Sequence, residues 1–209
     1  LLVVGWRGEP GVHDEPQHIK QGKVTLSLLD AMNIPYAVLD ENWQQQTSDA
    51  ISFIKSNNRQ YALVIRKGVF DDYSLCRTSP AIFNMPREEA IQIVVDSLNP
   101  DDIVVSTTGM ISRELFEYRE AKQQGHAADF LTVGSMGHAS QIALAIALQK
   151  PERRVFVFDG DGAMLMHMGG MAVIGNRCPA NLVHIVFNNG AHDSVGGQPT
   201  VAQQVDVPA

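Results

Sequence analysis

The sequence predicts an α/β protein built from two doubly wound parallel-sheet units, and two observations predict it. Short apolar runs of strand length alternate with amphipathic stretches along the chain, as parallel strands joined by helical crossovers require. The rhythm fails once, across DDYSLCRTSPAIFN at 71–84, which is polar, contains Pro80 and shows neither period. That stretch reads as a linker, so the expected division is 1–70, a linker at 71–84, and 85–209.

In the first unit, the apolar run Leu1 to Gly5 is a strand, followed by an amphipathic helix from Gln21 to Met32. Pro35 to Leu39 is the next strand, Ser48 to Asn57 a helix, and Tyr61 to Arg66 a third strand. In the second unit, Pro86 followed by Glu88 and Glu89 starts a helix running to Leu98. Proline suits the first turn and carboxylates suit the positive end of the helix dipole. The strand Ile103 to Ser106, the helix Ile111 to Glu120 and the helix His138 to Gln149 follow. Arg154 to Asp159 is a strand rich in Val and Phe, Ala163 to Gly175 a helix, and Asn181 to Phe187 the last strand.

Composition narrows the function classes. Lys and Arg number 16 against 23 Asp and Glu, a formal net charge of −7, with no dense basic stripe, so nucleic acid is not an expected partner. With 44% hydrophobic and 19% charged residues the chain is globular rather than disordered. The longest clear apolar run, Ile142 to Leu148, falls far short of the roughly 18 residues that cross a bilayer, so a soluble, cytoplasmic protein without a membrane partner is expected. Cys76 and Cys178 are far apart, which indicates neither a disulfide framework nor a zinc site. The chain opens in an apolar run without an initiating Met and stops at VDVPA, and an internal fragment of a longer polypeptide is expected.

The chemistry centres on Asp159-Gly160-Asp161-Gly162, where an apolar strand ends in a turn that opens a helix. Glycine and aspartate are common turn residues, so the motif alone is weak. Residues 163 to 187 number 25, a helix plus a strand, and Asn188-Asn189 follow. Consecutive parallel strands joined by a helix bring their carboxyl ends together, so Asp161 and the asparagine pair should face one crevice. Carboxylate and amide oxygens suit Mg²⁺, and the backbone N–H groups at Gly162 and Ala163 suit a phosphate. A magnesium diphosphate is the expected ligand.

GDG, 25 residues, then NN resembles the cofactor motif of thiamine diphosphate enzymes in type and spacing. The resemblance implies that Asp161 and Asn189 hold Mg²⁺ by side-chain oxygens with the main-chain carbonyl of Ala191, Asn188 being held in reserve. Gly160, Gly162 and Ala163 would line the diphosphate. Gly134-Ser135-Met136-Gly137 resembles the loop that clamps the aminopyrimidine, with Met136 as the wedge that bends the cofactor. Thr107-Thr108-Gly109 resembles a segment touching the diphosphate side. The plainer alternatives are core packing for Met136 and turn chemistry for Thr107 to Gly109.

NNGAHDSVGGQPT at 188–200 and GWRGEPGVHDEPQH at 5–18 resemble a narrower branch, the decarboxylases of phosphonopyruvate and sulfopyruvate, with the first segment pointing to the phosphonate. This implies non-oxidative decarboxylation of 3-phosphonopyruvate to phosphonoacetaldehyde and CO2. It also makes residues 1–70 the later part of a pyrimidine-binding domain, incomplete at its N-terminus, and 85–209 a diphosphate-binding domain. The glutamate that protonates the pyrimidine has no matching context here and is expected upstream, so the fragment alone should lack full catalysis. A homodimer or larger assembly is implied as well.

For proton transfers the candidates are His18 with Gln17, and His192. For a distal substrate anion they are Arg7 and Arg113, together with Asp193 and Gln198 in a Gly-rich loop. His167 and His184 read as structural, and Arg87 with Glu88 and Glu89 as a solvated helix face. The rivals are sulfopyruvate decarboxylation, carboligation of the acetolactate synthase type and, in another class, a non-catalytic diphosphate-binding module. No GxGxxG or GxxxxGK[ST] supports a dinucleotide or P-loop alternative.

Overall fold

Strand β3 (Ala62–Ile65) is the axis of the first unit, Leu1–Ser79. All four of its residues are buried, as befits a central parallel strand covered on both faces. It pairs in parallel with β1 (Leu2–Gly5) on one side and β2 (Tyr36–Val38) on the other, Val3 and Ala37 both opposite Leu63. Alternate side chains feed opposite layers. Ala62 and Val64 pack with Leu29 of α1 (Ile19–Ala31), while Leu63 and Ile65 pack with Leu39 and Ala50, the latter from α2 (Trp43–Asn57). Each fully buried Leu, Val or Ile contributes about 1.5–3 kcal/mol, so these two layers fix the crossovers on opposite faces. The structure, a computed structural model, describes residues 1–71, 73 and 84–206. Apart from 71, 73 and 84, the expected linker lies outside the described residues.

The second unit, Pro80–Ala209, contains α3 (Arg87–Asp96), β4 (Ile103–Ser106), α4 (Met110–Ala121), β5 (Asp129–Leu131), α5 (Ala139–Gln149) and β6 (Val155–Gly160). After these come α6 (Asp161–Met166), α7 (Gly169–Arg177), β7 (Leu182–Phe187) and a two-stranded antiparallel ribbon of β8 (Ala191–His192) with β9 (Gln198–Pro199). The main sheet is parallel throughout, in the order β5-β4-β6-β7. Ile91 and Val95 of α3 and Ile111 and Leu115 of α4 cover one face, over Val104, Phe156, Phe158 and Phe187. Ala139, Ala143 and Ala147 of α5 cover the other, over Val105, Val155 and Val157. Helices on both faces of a parallel sheet are the doubly wound class the alternation predicts.

Strand order places the site. From β4 the chain steps outward to β5, then returns across β4 to β6 and β7, so the direction of winding reverses between β4 and β6. At such a switch point the crossover loops diverge and leave a crevice at the carboxyl ends of the strands.

Local expectations differ from the structure in several places; α2, expected from Ser48, begins at Trp43. The single helix expected at Ala163 to Gly175 is two helices. His167 leaves helical geometry (φ −132, ψ 41), and Gly169 and Gly170, poor helix formers, start the second. The three-residue β5 was not expected, being too short to show a period. The Gly-rich stretch 191–199, expected as a loop, is closed by the ribbon, in which His192 pairs with Gln198.

Candidate active site at the sheet switch point

The crevice between β4 and β6 is lined by Thr107 and Thr108 after β4, by Met110 and Ile111 of α4, and by Gly160, Asp161, Gly162 and Ala163 around the β6 turn. Met136, Phe187, Asn189, Ala191, His192, Asp193, Ser194 and Arg87 complete it. It therefore collects, within the second unit, most of the residues that the motif spacing brings together.

Asp161 opens α6 and is buried, its residue 2% exposed. Its Oδ2 accepts a hydrogen bond from the Thr200 hydroxyl. No Lys, Arg or His forms an ion pair with it among the described residues. A buried carboxylate without a cation is costly, and a bound cation relieves that cost. Asn189 and Ala191 line the same crevice, while Asn188 does not. Asn188 Oδ1 instead accepts from Gly190 N–H at 3.0 Å, closing a tight turn. Among the described residues no three His, Cys, Asp or Glu side chains gather as a metal cluster. A cation in the crevice would therefore rest on one carboxylate, one carboxamide and main-chain oxygen, a hard donor set of the kind Mg²⁺ takes.

Two further features suit an anionic group beside that cation. Among the described residues, Thr107 Oγ1 is buried at the crevice without a hydrogen-bond partner. Such orphans are rare and call for an explanation. A Cβ at Gly162 would lie 2.4 Å from His192 Nδ1, so any side chain there would have to displace the imidazole. The imidazole thus rests against the backbone of the turn.

The loop before α5 reaches the crevice through its strained backbone. Gly134, Ser135 and Gly137 have φ of +72, +47 and +88, and a Cβ at Gly137 would meet the Ala163 carbonyl at 2.7 Å. Glycine alone allows that approach. Gly134 N–H donates to Thr108 Oγ1 at 3.1 Å, tying the loop to the end of β4, and Met136 enters the crevice wall. Gly109 (φ +103) lies against Ser194.

Arg87 corrects an expectation. Its side chain is only 18% exposed rather than solvated, with Nε and Nη2 on Glu114 at 2.9 and 2.7 Å and Nη1 on Asp193 at 2.7 Å. The Glu114 hydrogen bonds, and after them those of Asp193, outweigh burial and hold the guanidinium above its ordinary range. Asp193, a candidate for the substrate's anion, is thereby committed to a cation of this chain. Gln198 is exposed on β9, and Arg113 is exposed and does not line the crevice.

The remaining candidates lie in the first unit. Arg7 and His18 converge on Asp14, which accepts from Arg7 Nη2 at 2.6 Å, from Gly8 N–H at 2.6 Å and contacts His18 Nδ1 at 3.0 Å. The Arg7 hydrogen bonds first, then Gly8 N–H and His18, hold the Asp14 carboxyl far below the usual carboxylate range. The Arg7 fork is taken up by Asp14, and Gln17 is exposed in a short 3₁₀ turn. Sequence reasoning missed Asp14, Glu114 and Thr200. Only Asp14 carried a signal, four positions before His18.

Residues 107–207 match the family described as thiamine pyrophosphate enzyme, C-terminal TPP binding domain. This segment is thus similar to the cofactor-binding domain of thiamine pyrophosphate enzymes. The match begins at the orphaned Thr107 and includes every crevice residue named above except Arg87. Over its whole length the chain is similar to phosphonopyruvate decarboxylase of Streptomyces viridochromogenes, 36% identical and covering 56% of that protein. It is 34% identical to phosphonopyruvate decarboxylase of Streptomyces hygroscopicus, covering 55% of it. Over 60% of the chain it is 38% identical to sulfopyruvate decarboxylase subunit beta of Methanothermobacter thermautotrophicus, covering 64% of that subunit. The chain spans about half the length of the two phosphonopyruvate decarboxylases it matches.

Proposed function

We propose that residues 85–209 form the diphosphate-binding domain, and residues 1–70 the later part of the pyrimidine-binding domain, of a Mg²⁺- and thiamine diphosphate-dependent decarboxylase that converts 3-phosphonopyruvate to phosphonoacetaldehyde and CO2. The observation that carries this is the switch-point crevice, where Asp161, Asn189 and Ala191 meet an orphaned hydroxyl and Met136 within a thiamine pyrophosphate binding domain. The likeness along the full chain to two phosphonopyruvate decarboxylases supports the substrate.

The roles follow from the donor chemistry. Asp161 and Asn189 hold Mg²⁺ by side-chain oxygens and Ala191 by its carbonyl, with Thr200 orienting the carboxylate. The Thr107 hydroxyl would be free to donate to the diphosphate. Met136, in the crevice wall, would be the apolar side chain against which the bound cofactor bends. Bound thiamine diphosphate supplies the electron sink for loss of CO2. His192, seated against Gly162, holds a proton at the crevice wall. His18, whose Nδ1 lies 3.0 Å from both Asp14 Oδ1 and Arg7 Nη2, is the second proton carrier, through the Nε2 that has no hydrogen-bond partner among the described residues. The assembly proposed is a homodimer or larger, in the cytoplasm. Among the described residues no helix is long and apolar enough to cross a membrane.

The test uses the full-length protein. Phosphonoacetaldehyde release from phosphonopyruvate, dependent on both Mg²⁺ and thiamine diphosphate, is the expected result. Cofactor binding with turnover of sulfopyruvate alone would move the substrate assignment, and binding without turnover of either acid would sink the enzymatic reading.

A further inference from the structure

We infer that Arg87 and Asp193 are positioning residues that fix which end of the Asn189 carboxamide faces the cation site. The inference deepens the proposed function and rests on its reading of Asn189 as a ligand.

A carboxamide presents an accepting oxygen at one end and a donating NH₂ at the other, and a half-turn of the side chain exchanges them. A ligand asparagine must therefore be held with its oxygen toward the cation. An ionised carboxylate has no proton to give, so only the NH₂ end can face it. Asp193 Oδ2 accepts from Asn189 Nδ2 at 2.6 Å. Asn189 Oδ1 is turned to the opposite side, where it accepts from Ala191 N–H at 3.0 Å. Asp193 thus selects the orientation of the amide.

Asp193 is 43% exposed and would sample other rotamers if it stood alone. Arg87 removes that freedom by donating from Nη1 to the same Oδ2 at 2.7 Å. Arg87 cannot swing in turn, because its Nε and Nη2 are forked onto Glu114 at 2.9 and 2.7 Å. A planar guanidinium seated by two N–H groups has its third direction determined. The relay from Glu114 through Arg87 and Asp193 to Asn189 thereby transmits the rigidity of the packed pair α3 and α4 to the loop after β7.

The experiment compares wild type, Arg87→Met and Asp193→Asn in the full-length protein. Asp193→Asn keeps the shape but introduces an NH₂ of its own, so the amide of Asn189 loses its selector. Mg²⁺ is titrated by calorimetry at fixed thiamine diphosphate, and the side-chain NH₂ resonances of Asn189 are followed without metal. The expected result is Mg²⁺ affinity about 10- to 100-fold weaker in both variants, the usual loss for an outer-shell partner. The melting of metal-free Asp193→Asn is unchanged, while Arg87→Met, which leaves Glu114 unpaired, melts lower; hydrogen exchange at the Asn189 NH₂ is faster in both. Saturating Mg²⁺ restores kcat, which a general loss of structure would not permit. Should Arg87→Met fail to fold, Asp193→Asn carries the test, since its side chain is half exposed. Cofactor binding by wild type with unaltered Mg²⁺ affinity and NH₂ exchange in Asp193→Asn would overturn the inference alone. Failure of wild type to bind Mg²⁺ with thiamine diphosphate would overturn the proposed function as well.

Discussion

Asp161 brings near-complete burial together with the lack of an ion-pair partner among the described residues, which separates its functional from its structural cost. Asp161→Ala is expected to abolish Mg²⁺-dependent binding of thiamine diphosphate while leaving the melting of the metal-free protein unchanged or raised, since a buried charge is removed. Calorimetry and thermal denaturation measure the two, and unchanged cofactor affinity would refute the assignment. Gly162→Ala tests the neighbouring contact. Its new methyl falls on the His192 ring and not on backbone, so the ring moves. The expected stability loss is about 1–3 kcal/mol, with a larger fall in kcat than in stability if His192 carries a proton. These residues were legible because GDG and the asparagine pair are local motifs at a fixed spacing. Arg87 was not, because its partners Glu114 and Asp193 lie 27 and 106 positions away and only the fold brings them together.

At the level of elements, a charge pair fixes the roots of the two strands that flank the crevice. Arg154, just before β6, donates from Nε at 2.8 Å to Asp102, just before β4, and a second hydrogen bond joins Nη2 to Oδ2. Asp102 also accepts from Asn99 N–H at 2.6 Å. Burial pushes the Asp102 carboxyl up, but the hydrogen bonds from Arg154 and Asn99 outweigh it and hold the group below its ordinary range. A carboxyl with a depressed folded-state pKa stabilises the fold above its unfolded value, about 3.9, and loses that contribution as pH falls toward the folded value. Stability measured by urea unfolding should therefore fall below roughly pH 4, and Asp102→Asn should flatten that limb while lowering stability at neutral pH. The strands were legible because buried parallel strands read as continuous apolar runs, as Ala62 to Ile65 does. The break after Met166 was not. The methionine-rich pattern through it remains helical in period, and only the pair Gly169-Gly170 hinted at a stop.

For the molecule as a whole, a ligand that binds only the folded state raises the melting temperature by mass action. At a free concentration near one hundred times Kd the gain is about 2.7 kcal/mol, or roughly 5–10 °C for a chain of this size. Thiamine diphosphate with Mg²⁺ should give that shift in the full-length protein and neither component alone should. Equal shifts with and without Mg²⁺ would contradict the cation's place in the crevice. The doubly wound class was legible from the alternation, whereas the order β5-β4-β6-β7 was not, because no local pattern reports the side of β4 on which the chain returns. That order has a consequence for biosynthesis. The crevice walls leave the ribosome far apart in time: Arg87 and Thr107 emerge early, Asp161 only after α5, and Thr200 last of all. A nascent chain halted between Phe187 and Thr200 would hold all four strands of the sheet around a carboxylate still lacking its hydroxyl partner.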